Sequence, residues 1–163
     1  METARGGIDS LRLALPKGIG ATKIRAMGER HRTPITVAFD EVDMYGIVHH
    51  SKLLVYLERA RIALFVEGGV VPGTLEETGF GLILVDANLR FKAPARFHEE
   101  LVVETWVERH SPVTITFAYR ILRDDQVLLE ATTRLAAVGP DARPTRIPDG
   151  PRELLKRYFG GEP

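Results

Sequence analysis

The sequence predicts an α+β domain: an antiparallel sheet of about five strands wrapped around one long buried helix. Three observations carry this expectation. A run from Lys52 to Val66 is apolar on nearly every face and holds only good or tolerable helix formers. Four strand-like runs with short connections follow it, Gly81 to Phe91, Leu101 to Arg109, Thr114 to Arg123 and Val127 to Val138. Ahead of it, Ile35, Val37 and Phe39 alternate with Thr36, Ala38 and Asp40, the pattern of a half-buried strand.

Composition sets the frame for these elements. The 163 residues carry 22 basic and 22 acidic side chains, a formal charge of zero, which argues against a polybasic nucleic-acid binder. With 44% hydrophobic and 27% charged residues, one soluble domain with short tails is expected. The chain has no cysteine, so disulfides, thiolate metal sites and cysteine nucleophiles are excluded together. No apolar run approaches the roughly 18 residues of a membrane span, and the N-terminus has no signal-peptide core, so a cytoplasmic protein is expected.

Residues 1–33 hold seven basic side chains and three acids among several glycines, without sustained periodicity. They are expected to form a flexible extension, or alternatively a basic arm for an acidic partner or ligand phosphates. The domain proper is expected over 34–148. Within it, Asp40 to His50 is a polar connection, Ser51 is placed to cap the helix, and Gly68 and Gly69 stop it. Pro72 and Gly79 mark a loop, Asp124 and Asp125 a tight turn, and residues 149–163 a tail with a short helix from Arg152 to Phe159. The sheet's edges need cover, so a homodimer assembling to a homotetramer is expected.

The connection before the helix carries the chemistry. Asp40, Glu41 and Asp43 crowd three acids behind a strand, followed by Gly46, His49, His50 and the helix start. A helix start offers unpaired N–H groups to an oxygen that gains negative charge in acyl transfer. A neighbouring carboxylate can attack a carbonyl or take a proton from water, and a histidine can orient it or handle protons. Acids also cap helices, so spacing alone leaves both readings open.

The wording of the segment is more specific. Phe39-Asp40-Glu41-Val42-Asp43-Met44-Tyr45-Gly46-Ile47-Val48-His49-His50, with Tyr56-Leu57-Glu58-Arg59-Ala60-Arg61 beyond it, resembles the hotdog-fold acyl-CoA thioesterases of the 4-hydroxybenzoyl-CoA thioesterase family. It is most similar to their Tol-Pal-associated branch. Phe91-Lys92-Ala93-Pro94-Ala95-Arg96 through Glu100-Leu101 resembles a second, weaker family segment. The resemblance spans roughly Ile35 to Pro148 and implies a hotdog fold that hydrolyses an acyl thioester to a free acid and coenzyme A. It implies no metal and no cofactor beyond the coenzyme A of the substrate.

By that resemblance Asp43 is the catalytic carboxylate, as nucleophile or general base, and Gly46 lets the chain turn closely past the thioester. His50 gives its backbone N–H to the thioester oxygen, and its side chain takes an orienting or proton-handling part. Tyr45, Lys52, Arg90, Lys92 and Arg96 are the expected substrate contacts, the basic ones as partners for coenzyme A phosphates. The chain departs from the family pattern at Glu41, where an aspartate is usual, and at Lys52 and Leu53, where asparagine and tyrosine are usual.

Other residues are expected to be structural. Glu58 and Arg61 have the spacing of an ion pair, although some hotdog thioesterases place a catalytic glutamate on this helix. His49 and His50 are expected to diverge and hold no metal. His31, His98 and His110 are expected to be solvated, and Trp106 and Phe117 to lie in the core or an interface. Hydrolysis from acyl carrier protein is the nearest alternative, followed by a hotdog that binds acyl thioesters without turnover.

Overall fold

Period-two alternation in five segments sends every second side chain to one face of a sheet, and that shared face forms the core. In order, the computed structural model contains β1 (His31–Thr36), a 3-10 turn (Phe39–Glu41), α1 (His50–Glu67), α2 (Leu75–Thr78), β2 (Gly81–Phe91), β3 (Glu100–His110), β4 (Thr114–Arg123), β5 (Gln126–Val138) and α3 (Asp149–Arg157). It describes residues 29–70, 73 and 75–160, so most of the expected basic extension lies outside the described residues. The strands form one antiparallel sheet in the order β1-β3-β4-β5-β2. This is the α+β hotdog arrangement that the sequence predicts.

Leu53, Tyr56, Leu57, Ala60 and Leu64 recur at intervals of three and four, which places them on one stripe of α1. That stripe is buried against Ile35, Leu101, Val103, Phe117 and Ile121 of the sheet. The helix lies over β3 and β1. The inner face of β2 is consequently open, with Leu84 and Phe91 about half exposed at 46% and 55%. A single chain also leaves Val55, Ile62 and Val66 exposed along α1, so the sheet wraps one side of the helix and not its whole girth.

The edges are treated differently. The β1 edge contains Pro34, which an edge strand tolerates because it need not donate on its outer side. Beyond β1, the edge of β3 is covered by the chain after α3: Val107 N–H donates to Tyr158 O and Gly160 N–H to Val107 O, both at 2.8 Å. No strand among the described residues pairs with the free side of β2.

Several boundaries differ from the sequence expectation. β1 begins at His31, three residues inside the segment read as an extension, because Arg30 and Arg32 both bond Glu104 of β3. His31 is buried rather than solvated: its ring pairs with Glu67 at 2.7 Å and meets Tyr158 edge-on. The Ile35, Val37, Phe39 alternation holds only to Val37, where the 3-10 turn takes over and swings Phe39 out against Phe97. The last helix starts at Asp149, and α2 occupies part of the expected Pro72 to Gly79 loop.

Leu57 is fully buried beneath the sheet. Leu57→Ala should cost about 2–5 kcal/mol in urea unfolding. A loss below about 1 kcal/mol would contradict the packing described.

Candidate active site

The acidic connection folds as a small hairpin. Asp43 N–H donates to Ile47 O and Gly46 N–H to Asp43 O, both at 2.9 Å, while Val42 and Val48 form a bridge across the arms. Asp43 Oδ1 accepts the Tyr45 N–H at 2.8 Å, an aspartate turn that fixes the carboxylate over the hairpin. Asp43 is half-buried, and its Oδ2 has no hydrogen-bond partner among the described residues. Gly46 has φ +71° and open space around its missing Cβ, so the left-handed backbone and not crowding requires glycine there.

Glu41 holds the hairpin to the helix. Its buried carboxylate accepts the Ala38 N–H at 2.8 Å and the Tyr56 hydroxyl from the second turn of α1, with Arg59 3.9 Å away. Its backbone oxygen accepts the His49 N–H at 2.9 Å. Burial, and next the bond to Glu41, push the Tyr56 hydroxyl well above its ordinary pKa. Asp40 by contrast is exposed, with Lys52 3.9 Å away.

His49, not Ser51, caps α1. Its Nδ1 accepts the Ser51 N–H at 3.3 Å and lies 2.8 Å from Ser51 Oγ, and its carbonyl accepts the Lys52 N–H at 2.9 Å. Two of the first-turn donors are thereby used. The His50 N–H, just ahead of them at the first position of α1, has no partner among the described residues. The two histidine rings do not diverge: their centroids are 4.0 Å apart at 35° because the cap turns His49 back over the helix start.

The second sequence motif meets the first. Val48 N–H donates to Ala95 O at 2.8 Å, docking the Pro94 turn on the hairpin and carrying exposed Arg96 beside it. Tyr45 is exposed at the hairpin tip and Lys52 lies in the first turn of α1. Asp43, Tyr45, Gly46, His50 and Lys52 therefore share one loop-and-helix unit. Arg90 and Lys92 do not join it: Arg90 lies opposite Glu130 in the register, and Lys92 pairs with Glu130 at 3.3 Å on the sheet face away from α1. Glu58 and Arg61 approach to 3.8 Å, and Arg61 also reaches the buried Tyr119 hydroxyl at 3.4 Å. No cluster of three potential metal ligands occurs among the described residues.

The Glu41–Tyr56 bond and the His49 cap escaped sequence reading. The first joins residues fifteen positions apart across two element types, and the second uses a residue that caps less often than the serine two places on.

A half-buried carboxylate with one oxygen unpartnered among the described residues and an unpaired helix-start N–H thus occur in one loop-and-helix unit of an antiparallel-sheet-and-helix fold. The chain belongs to the thioesterase-like superfamily, which it matches over residues 37–157. It is 34% identical over 87 residues to YneP of Bacillus subtilis, named as a candidate acyl-CoA thioesterase, a match covering 53% of this chain and 63% of that protein. It is 29% identical over 106 residues to the acyl-CoA thioesterase YbgC of Haemophilus influenzae, covering 64% and 78% of the two chains. A solved hypothetical protein of Thermus thermophilus superposes with a TM-score of 0.74 at 34% identity, covering 79% of this chain and 99% of its own.

Tyr56→Phe should lose about 1–3 kcal/mol at neutral pH, because the Glu41 carboxylate stays buried with one donor fewer. The raised tyrosine favours the neutral form in the fold. Its contribution is thus fully present below the ordinary tyrosine value of 10 and is lost as pH rises through the higher folded-state value. Tyr119 and Tyr158 shift the same way, burial first, so both proteins should weaken in alkali. Urea titrations from about pH 8 to about pH 11 should show a shallower loss in Tyr56→Phe. Equal slopes would refute the Tyr56 assignment.

Proposed function

We propose that the protein hydrolyses an acyl-CoA thioester to a free carboxylic acid and coenzyme A, with Asp43 as the reacting carboxylate. The observation that carries this reading is the occurrence, in one loop-and-helix unit, of an Asp43 oxygen and a His50 N–H at the start of α1 that both lack partners among the described residues. The thioester oxygen accepts the His50 N–H, and the helix dipole adds to the stabilisation of its negative charge. Asp43 then acts in one of two ways. As base, it takes a proton from water while the water oxygen bonds the carbonyl carbon, and it returns that proton to the departing sulfur. As nucleophile, it forms an anhydride with loss of thiolate, which solvent protonates, and water then opens the anhydride. Either route ends with the C–S bond broken and needs no cofactor beyond the coenzyme A of the substrate.

The loop wording favours the 4-hydroxybenzoyl-CoA thioesterase family and its Tol-Pal-associated branch. Gly46 sets the hairpin turn and the His50 side chain orients substrate or handles protons. Tyr45 and Lys52 flank the acyl thioester, and Arg96 stands beside the loop as a phosphate partner. Arg90 and Lys92, on the outer sheet face, would meet coenzyme A across a subunit boundary. The open β2 edge and the exposed apolar stripe of α1 support a homodimer joined along β2, assembling further to a homotetramer. Among the described residues no helix is long and apolar enough to cross a membrane, and a cytoplasmic setting suits a coenzyme A substrate.

Thiol release with a chromogenic disulfide reagent tests the assignment, without background because the chain has no cysteine. Across short, long, branched and aromatic acyl-CoAs, Asp43→Asn should lose roughly 100-fold or more of kcat/KM with the fold intact. Unchanged activity in Asp43→Asn would refute the site, and turnover only of acyl carrier protein thioesters would change the substrate class.

The oxyanion role can be separated from the imidazole. His49 has φ −60° and ψ 136°, a conformation suited to the residue before proline, and position 50 is the first of the helix. His50→Pro removes the N–H while keeping the helix start and should lower kcat about 100-fold or more. His50→Ala keeps the N–H and should cost about tenfold or less. Equal losses in the two variants would assign the role to the side chain instead.

A further inference from the structure

The outer face of the sheet carries a row of charge that alternates across every strand. In register, Arg32 of β1 stands opposite Glu104 of β3, Glu104 opposite Arg120 of β4, Arg120 opposite Glu130 of β5, and Glu130 opposite Arg90 of β2. The two acids of the row are held by cations: Arg30 and Arg32 both bond Glu104, and Arg120 and Lys92 approach Glu130 at 3.7 and 3.3 Å. Arg90, the last member, is exposed and has no ion-pair partner among the described residues. Four positions back along the same strand, on the same face, Asp86 stands opposite Arg134, is also exposed, and also has no ion-pair partner among the described residues. The open edge thus displays Asp86, Asn88 and Arg90 on one face, one unpaired charge of each sign about a neutral centre.

We propose that two copies join antiparallel along β2 with the two-fold axis at Asn88, so that each Asp86 pairs with the partner's Arg90. This rests on the β2-edge dimer proposed above and specifies its register. Directly opposed residues share a face in an antiparallel pair, and like charges placed opposite destabilise it. An axis at Asp86 or at Arg90 sets a charge against its own copy. An axis at Ala87 puts Asp86 against the partner's Asn88 and leaves Arg90 without a carboxylate. An axis at Leu89 puts Asp86 against the partner's Lys92, whose ammonium already holds Glu130. Only the axis at Asn88 satisfies both unpaired charges, twice by symmetry. It also continues the row unbroken, from Glu130 and Arg90 to the partner's Asp86 and the partner's Arg134, while Ala87 meets the partner's Leu89 on the inner face.

Charge variants and cysteine scanning test the register in the intact protein. Sedimentation should show a dimer or a tetramer built from such dimers. Asp86→Arg alone and Arg90→Asp alone each place two like pairs at the axis and should weaken the dimer about tenfold or more. An equimolar mixture of the two variants should recover it as a heterodimer, because both pairs are then complementary while the in-chain surroundings of each variant are unchanged. In the cysteine-free chain, Asn88→Cys should cross-link to itself on mild oxidation, since opposed Cα atoms lie about 4.5–5.5 Å apart. Ala87→Cys and Leu89→Cys should not, being offset along the strand beyond the roughly 7 Å limit. A dimer that cross-links at position 87 or 89, or variants that fail to complement, would overturn the register and leave the β2 dimer standing. A dimer that cross-links at none of the three would overturn both the register and the β2 edge, and a wild-type monomer would remove the dimer itself.

Discussion

One buried carboxylate organises the chemical end of this protein. Glu41 gives its side chain to the Tyr56 hydroxyl and the Ala38 N–H and its backbone oxygen to the His49 N–H, so the strand end, the hairpin and α1 are tied at one residue. A carboxylate in such surroundings is costly unless its lone pairs are occupied, and here several donors converge on it. The Asp43 hairpin therefore inherits its position from the core through Tyr56 rather than from its own few hydrogen bonds. The extra methylene relative to aspartate is accommodated by reaching inward to the tyrosine.

This division of labour explains why three adjacent acids have three fates. Asp40 faces solvent, Glu41 is buried and structural, and Asp43 is half-buried with one oxygen committed to the Tyr45 N–H and one free. Identical chemistry is thus sorted by the backbone, first by the 3-10 turn and then by the glycine-dependent hairpin. The Ala95 carbonyl closes the arrangement from outside by taking the Val48 N–H.

Much of the fold was legible because its signals are local. β2, β4 and the core of α1 follow directly from alternation and from three-four spacing, and the four long strands emerge within a residue or so of their expected limits. Where the reading slipped, a long-range contact outweighed the local pattern. His31 looked like a solvated tail residue and is buried by Glu67 and Tyr158, each distant in sequence. Phe39 continued an apolar alternation and is 79% exposed, because the chain must turn there to present Asp43. The site was legible as a set of residue types, and the family resemblance assigned their roles. Its clamp was not, since nothing in the spacing of Glu41 and Tyr56 announces a bond between a turn and a helix.

The two borders of the sheet have consequences for how far association can run. β1 is short and carries Pro34, and the strand beside it is sealed further along by the chain segment from Tyr158 to Gly160. β2 is long, apolar on its inner side and without a strand on its outer edge among the described residues. A sheet with one blunted border and one adhesive border can extend itself by meeting its own kind only once, after which no adhesive border is left. Strand addition at β2, as proposed, would therefore terminate itself and give one large shared sheet without the risk of an endless filament.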